Sequence, residues 1–329
     1  SVARPSRQMV GSCEAMRQVT DFAKSMAATS APILIRGEPG TGKEVMARLI
    51  HASSGRLGHF VTVECHGVAP EILESELFGH EPGAFPGAVA RRVGRVDEAE
   101  GGTIFLRGIE ALSPALQARL LDLVRAGQTG RNVALTSARQ GTRLITSSSS
   151  DLGSLVDQGR FRADLLARLD LAEIGLPPLR KRGEDIMTLA RHFARQFAGL
   201  YEMRAPDFDD EACRVIKGYA WPGNVSELET TIHRAILLAQ SGVIGPEALV
   251  HTDGSPIEPA FDEHDDALQV EQLVGHTVAE VERELILHTL ERCGGNRTSA
   301  SSILGISVRT MRNKINSFVQ AGISVVPSK

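Results

Sequence analysis

Residues 31–50 read APILIRGEPGTGKEVMARLI. The first seven form a short apolar run of the length and composition of a buried strand. Residues 44–54 have helical apolar spacing. Between them lies Gly37-Glu38-Pro39-Gly40-Thr41-Gly42-Lys43-Glu44. A glycine-rich turn from a buried strand into a helix N-terminus wraps backbone N–H groups around phosphate oxygens, and its lysine reaches the outer phosphates. Gly37, Glu38, Pro39, Gly40, Thr41, Gly42, Lys43 and Glu44 are therefore the expected nucleotide-binding residues, with ATP or ADP as ligand. Glu44 stands where the general pattern has a Ser or Thr that helps to hold magnesium, so the general pattern is not fully met. The plain alternative is a tight strand-to-helix turn that binds nothing.

Working outward, FVTVE (60–64), GTIFL (102–106) and TRLITS (142–147) read as further buried strands. Residues 113–127, SPALQARLLDLVRAG, have helical spacing. Alternation of this kind predicts an α/β domain on a mainly parallel sheet. After Pro178 the apolar spacing is helical almost throughout to Val250, which predicts a helical subdomain. Residues 251–271 hold seven acids (Asp253, Glu258, Asp262, Glu263, Asp265, Asp266, Glu271) and no Lys or Arg. With two prolines and a glycine they read as a solvated linker. From Gly294 the balance reverses: Arg297, Arg309, Arg312, Lys314 and Lys329 appear without an acid. The expected organisation is an α/β subdomain over 1–178, a helical subdomain over 179–250, a linker over 251–271 and a small all-α basic domain over 272–329.

The 329 residues, 42% hydrophobic and 23% charged, suffice for a large core and exclude a wholly disordered chain. No apolar run approaches the roughly 18 residues of a membrane span, and no signal-peptide pattern opens the chain. Cys13, Cys65, Cys213 and Cys293 are too far apart for a CxxC site and read as reduced thiols of a cytoplasmic protein; no metal site is expected. A net charge of -4 does not suggest general nucleic-acid binding, so any such role belongs to the basic C-terminal domain.

Three further segments carry a resemblance. ESELFGHEPGAFPGA (74–88), GRFRADLLARLDLAEIGLPPLRKRGEDI (159–186) and WPGNVSELE (221–229) are similar to the AAA+ domain of bacterial enhancer-binding proteins, the activators of sigma-54 RNA polymerase. The resemblance spans about residues 9–250, and Glu44 is normal for that family. It implies a ring-forming ATPase that drives a surface loop against sigma-54 to open promoter DNA. The C-terminal segment resembles the family's Fis-type helix-turn-helix. Val278, Val281 and Leu285 share one helical face with Ile286 and Leu290 beside it, a stripe expected of a core or dimer contact. In GNRTSASSILGISVRTMRNKI (295–315), Thr298 and Ser307 are expected to cap two short helices with Gly305 in the turn. The second would present Arg309, Thr310, Arg312, Asn313 and Lys314 to phosphates and base edges in a major groove. An ordinary hairpin with a solvated basic face is the alternative. The wording of 277–290 with 295–314 is especially similar to flagellar regulators of the FlbD type.

The same resemblance marks departures. A working ATPase of the family ends its second core strand in a pattern like GGTLFLDEI, whose Asp orders magnesium and whose Glu polarises the attacking water. Residues 101–109 here read GGTIFLRGI, with Arg107 and Gly108 in those places. Phosphoryl transfer depends on metal, positioning and charge stabilisation, so losing both acids is expected to leave magnesium weakly held or absent and to remove hydrolysis. Glu110 lies two residues beyond and is expected to be a poor substitute. Glu64 replaces an Asn that restrains the catalytic Glu. Ser149 stands in a degenerate sensor segment, and Ser226 replaces the lid's sensor Arg. The two arginines that act across the subunit interface are kept as Arg162 and Arg168; packing at a subunit contact would preserve them equally. In the sigma-contacting loop, Gly83-Ala84-Phe85-Pro86-Gly87-Ala88, proline replaces the contacting Thr, which fixes φ and removes a hydroxyl.

Together these features predict a DNA-binding transcriptional regulator whose AAA+ domain assembles, alone or in a mixed ring with an active relative, and binds ATP without hydrolysing it. Arg107 would pair with a phosphate or with Glu64 in place of the metal charge. Two alternatives stay open: an active ATP-driven activator that has re-sited its carboxylates to Glu64 and Glu110, and an AAA+ scaffold that regulates another activator by protein contact. About ten residues precede the resemblance. Either a regulatory segment precedes them in the natural protein or control comes from a partner.

Overall fold

The computed structural model describes residues 9–11, 13–80, 93–128, 141–239, 242–258, 277–292 and 296–320. Two compact units divide near residue 260. In the first, five parallel strands lie in the order β2-β3-β4-β1-β5: β1 Ile33–Arg36, β2 Phe60–Glu64, β3 Thr103–Arg107, β4 Arg143–Ser148 and β5 Glu173–Gly175. The alternating apolar runs thus become a parallel sheet, with helices buried against both faces. Successive strand residues point to opposite faces. Leu34, Ile104, Leu106 and Leu144 enter one core, with Leu120 and Leu121 of α5 (Pro114–Gln128). Ile33, Ile35, Phe105 and Ile145 enter the other, with Met16 of α1 (Glu14–Ala27) and Met46, Ala47 and Ile50 of α2 (Lys43–Ser53). The connections also carry α3 (Pro70–Phe78), α4 (Arg95–Glu98), α6 (Leu152–Asp157) and α7 (Ala163–Leu169).

Arg143, 1% exposed, closes the C-terminal end of α1 by donating to the Met26 and Ala27 carbonyls at 2.8 and 2.7 Å. Burial pulls its pKa down to about 10.

The lid contains α8 (Asp185–Leu200), α9 (Asp210–Gly218) and α10 (Asn224–Leu238) around Trp221, which is fully buried. It also carries a short parallel pair, β6 Asp207–Phe208 and β7 Val243–Ile244, which helical spacing did not predict. The acidic stretch does not begin as a solvated linker. Val250 bridges Pro256 in antiparallel fashion, and Ile257, 4% exposed, packs into the lid core. An apolar side chain at the end of a polar run outweighs the run's average composition.

The second unit has three helices, α11 (Val278–Arg292), α12 (Arg297–Ile303) and α13 (Val308–Gln320), around Ile286, Leu290, Ala300, Met311 and Ile315. Among the described residues no helix is long and apolar enough to cross a membrane.

Candidate nucleotide site and DNA-reading helix

The C-terminal ends of the parallel strands converge on one edge of the sheet, where crevices form in open α/β folds. Arg36, Glu64, Arg107 and Ser148 end β1, β2, β3 and β4 there. The glycine-rich turn leaves β1 at this edge. Gly40 and Gly42 take φ of 78° and 100°, the left-handed region, and Gly42 opens α2. The first N–H groups of any helix lack intrahelical acceptors and favour an anion. Lys43 folds over the turn, donating to the carbonyls of Gly37 (2.6 Å) and Glu38 (2.9 Å) and to Ser149 Oγ (2.7 Å). Burial lowers the Lys43 pKa; Arg107 adds to this, and the nearby charges of Glu110 and Glu38 oppose it. The turn, its lysine and the helix start fit a nucleotide's phosphates. Bound there, a nucleotide would supply the phosphate charge that these donors are arranged to meet.

The lid closes directly on the turn. Glu38 takes a two-pronged pair from Arg180 at 2.6 and 2.8 Å and a hydrogen bond from Asn224 Nδ2 at 3.1 Å. Asn224 Nδ2 also donates to the Pro39 carbonyl at 3.0 Å, and its Oδ1 accepts the Leu179 N–H at 2.7 Å. Arg182, 2% exposed, donates to the Thr41 carbonyl at 2.7 Å. Ser226 N–H donates to the Gly40 carbonyl at 3.3 Å, and a Cβ on Gly40 would stand 2.1 Å from the Gly223 carbonyl. Arg180, Arg182 and Asn224 were not singled out in the sequence, although Asn224 lies in the segment that exposed Ser226.

Arg180 first, and then the Asn224 amide, hold the Glu38 pKa down to about 2 from its ordinary 4.5. A depressed carboxylate pKa gives stability that is present above the unfolded value and lost as pH falls through the folded one. The clamp therefore contributes fully above about pH 4.5 and fades toward pH 2. Comparing thermal stability of Glu38→Gln with the parent chain across this window is expected to show a difference at its upper end that disappears at its lower end. It should be under about 1 kcal/mol, because the pair is well solvated.

At the end of β3, Arg107 lies directly across from Glu64 in register. Its guanidinium stands 3.4 Å from Glu64 and 3.6 Å from Glu44. Opposite charges on neighbouring strands attract. Gly108 follows at φ 73°, and an added Cβ would lie 1.9 Å from His66 Nδ1. The imidazole stands 3.6 Å from Glu64 and 3.8 Å from Glu110. His66 was not foreseen, because only the backbone turn brings it over Gly108.

Glu110 is placed by the turn that follows β3. It belongs to a tight helical turn, Ile109–Ala111, that begins after left-handed Gly108. Its side chain is 8% exposed, and Oε1 accepts the Ser149 N–H at 3.0 Å. Its Oε2 is buried without a hydrogen-bond partner among the described residues. A residue two places past a strand need not be two strand steps away.

Arg162 opens α7 and pairs with its own neighbour Asp164 at 2.7 Å, while Arg168 is exposed in the last turn of that helix. Gly83, Ala84, Phe85, Pro86, Gly87 and Ala88 lie outside the described residues.

In the second unit, Ser307 caps α13 as expected, its Oγ accepting the Thr310 N–H at 3.0 Å, and Gly305 takes φ 67° in the turn. Thr298 does not occupy the capping position. Helix α12 begins at Arg297, so Asn296 precedes it and Thr298 is its second residue. Thr277 and Glu280 form an unforeseen reciprocal capping box on α11, with bonds of 3.3 and 2.8 Å. Arg309, Thr310, Arg312 and Asn313 are exposed on α13. Lys314 instead pairs with Glu282 of α11 at 2.5 Å. Of the expected stripe, Ile286 and Leu290 are buried, whereas Leu285 is 57% exposed.

Residues 9–175 match the sigma-54 interaction domain, 180–256 the AAA+ ATPase lid domain and 277–318 the Fis family of bacterial regulatory proteins. The chain belongs to the sigma-54-dependent transcriptional regulators. It is 42% identical to the transcriptional regulatory protein FlbD of Caulobacter vibrioides, over 99% of this chain and 74% of that protein. The regulatory protein ZraR of Escherichia coli is 40% identical over 94% of this chain and 68% of its own length. Among solved structures, NtrX from Brucella abortus in complex with ATP superposes with a TM-score of 0.64. It is 30% identical and covers 94% of this chain and 69% of that one. The shared sigma-54 regulator architecture is a parallel-sheet P-loop core, a helical lid and a DNA-binding helix-turn-helix.

The magnesium implied by this family finds a poor donor set here. Arg107 stands between the two nearest strand-end and helix carboxylates. Among the described residues no group of three or more His, Cys, Asp or Glu could hold a metal ion.

Proposed function

We propose that this chain is a DNA-binding regulator in the flagellar branch of the sigma-54 regulators, whose AAA+ unit binds ATP or ADP without hydrolysing it. The unit assembles as a homo-oligomer or in a mixed ring with an active relative, and the chain does not itself remodel sigma-54. One observation carries the reading: Arg107 and Gly108 occupy the places of the metal-ordering and water-polarising acids. Arg107 is engaged by Glu44 and Glu64, and His66 fills the space over Gly108. Pro86 in the sigma-contacting loop supports the loss of direct remodelling. Similarity to FlbD supports the flagellar assignment, and NtrX, crystallised with ATP and with ADP, supports retained nucleotide binding. Contact with RNA polymerase or sigma-54 would then be made within the mixed assembly. Exposed Arg309 and Arg312 on α13 supply the positive charge for phosphate and base contacts.

The test is ATP binding and phosphate release by one purified preparation, beside a Lys43→Ala control. Binding that the control loses, with no release above the control, is the expected result. Release that depends on Lys43 would overturn the proposal. It would favour an active ATPase with a re-sited carboxylate, for which the buried Glu110 beside Ser149 is the specific supporting observation.

A further inference from the structure

We propose that the phosphate loop takes nucleotide polyphosphate without a divalent cation, Arg107 supplying at the outer phosphate the positive charge that magnesium would supply. The inference rests on the reading that the loop still binds nucleotide.

Three observations carry it. First, Arg107 sits at the phosphate edge of the sheet, close enough for its charge to bear on Lys43, the phosphate-reaching lysine. Second, its present partners hold it loosely. The contacts to Glu64 and Glu44 are 3.4 and 3.6 Å, and the Arg107 side chain is 48% exposed. Such solvated pairs contribute little and are readily exchanged for a phosphate, which offers a guanidinium two-pronged, charge-assisted hydrogen bonds. Third, magnesium at nucleotide sites keeps several waters and is bound through one or two carboxylates plus phosphate oxygens. Arg107, charged at any working pH, already pairs with two of the carboxylates near the end of β3, Glu44 and Glu64. A divalent ion placed there meets like-charge repulsion and loses its ligands to Arg107.

Glu110 is the competing metal ligand, because its Oε2 is buried without a hydrogen-bond partner among the described residues. Its other oxygen accepts the Ser149 N–H. One carboxylate oxygen is a thin basis for a magnesium site, but it defines the alternative that the experiment must separate.

ATP affinity of the full chain is measured by calorimetry with excess magnesium and again with excess chelator. The proposal expects the two affinities to agree within a factor of about two. Arg107→Ala should weaken binding in chelator by about tenfold to a hundredfold, the worth of one hydrogen bond to a charged group. Arg107→Lys should restore part of the loss, because it keeps the charge and loses the fork. Glu110→Gln should bind ATP more tightly in chelator, since it removes a negative charge from beside the phosphates.

Magnesium-dependent binding by the parent chain that Glu110→Gln abolishes would overturn the proposal and assign the metal to Glu110. Binding unaffected by Arg107→Ala would overturn it as well. In either case binding without phosphate release leaves the non-hydrolysing reading standing. If the parent chain binds ATP under neither condition, both readings fall together. Thermal unfolding of each variant shows that the fold is retained.

Discussion

A chain carrying Arg107→Asp and Gly108→Glu together is expected to be less stable than the parent and still to release no phosphate above the Lys43→Ala background. The double change restores the two acids by name but not the place they need. Gly108 lies at φ 73° and ψ 52°, where an L side chain costs roughly 1–2 kcal/mol. An added Cβ would also stand 1.9 Å from His66 Nδ1. Crowding of this kind costs about 1–3 kcal/mol in a packed core. The His66 ring is half-exposed and can swing outward, which favours the lower end of that range. The combined loss is about 2–4 kcal/mol, or roughly 10 °C of thermal stability for a unit of this size. Adding His66→Ala is expected to recover the crowding part and leave the backbone part. Calorimetric unfolding of the double and triple variants separates the two. Charge gives a second reading from the same proteins. The double change replaces one cation with two acids beside Glu44, Glu64 and Glu110. Magnesium should therefore raise the unfolding temperature of the double variant more than that of the parent. Phosphate release by the double variant well above background would show that the turn can relax to receive a glutamate.

The parallel sheet and the phosphate turn were legible because their signals are local. A buried strand, three glycines, a lysine and a helix follow one another within twenty residues. The loss of the acids was equally plain, since Arg107 and Gly108 sit in an otherwise kept segment. What replaced them was not legible. His66 covers Gly108 because β2 and β3 are neighbours and their turns exit side by side, a relation of register. The place of Glu110 was not legible because strand spacing ends with β3, where the chain enters a tight helical turn at left-handed Gly108. Thr298 lies two residues past Asn296, the residue before the helix; both types cap well, and only the helix start separates them. The pairing of Lys314 was not legible because its partner Glu282 is 32 positions away and meets it only once α11 and α13 pack.

The second large effect is expected at Asn224, where the lid and phosphate turn share one side chain. Asn224 is fully buried and takes φ 54°, which Asn tolerates better than most residues. Its Oδ1 accepts the buried Leu179 N–H, and its amide donates to the Pro39 carbonyl and to the Glu38 carboxylate. Asn224→Ala removes these bonds, together with a local one to the Pro222 carbonyl, and places a Cβ-only side chain in left-handed backbone. Leaving one buried N–H unpaired costs about 1–3 kcal/mol, and the backbone adds roughly 1–2 kcal/mol, so a total loss of about 2–4 kcal/mol is expected. Asn224→Gly keeps the backbone conformation and loses the bonds, so it should recover the backbone share alone. Asn224→Asp keeps an acceptor for Leu179 but sets a second carboxylate against Glu38, and should be no better than alanine. Arg180→Ala, which removes only the solvated side of the clamp, should cost under about 1 kcal/mol. Denaturant titration of the four variants checks this order. An Asn224→Ala protein as stable as Arg180→Ala would mean that water replaces the amide at little cost, and that the lid is held to the turn by Arg182 and the backbone alone.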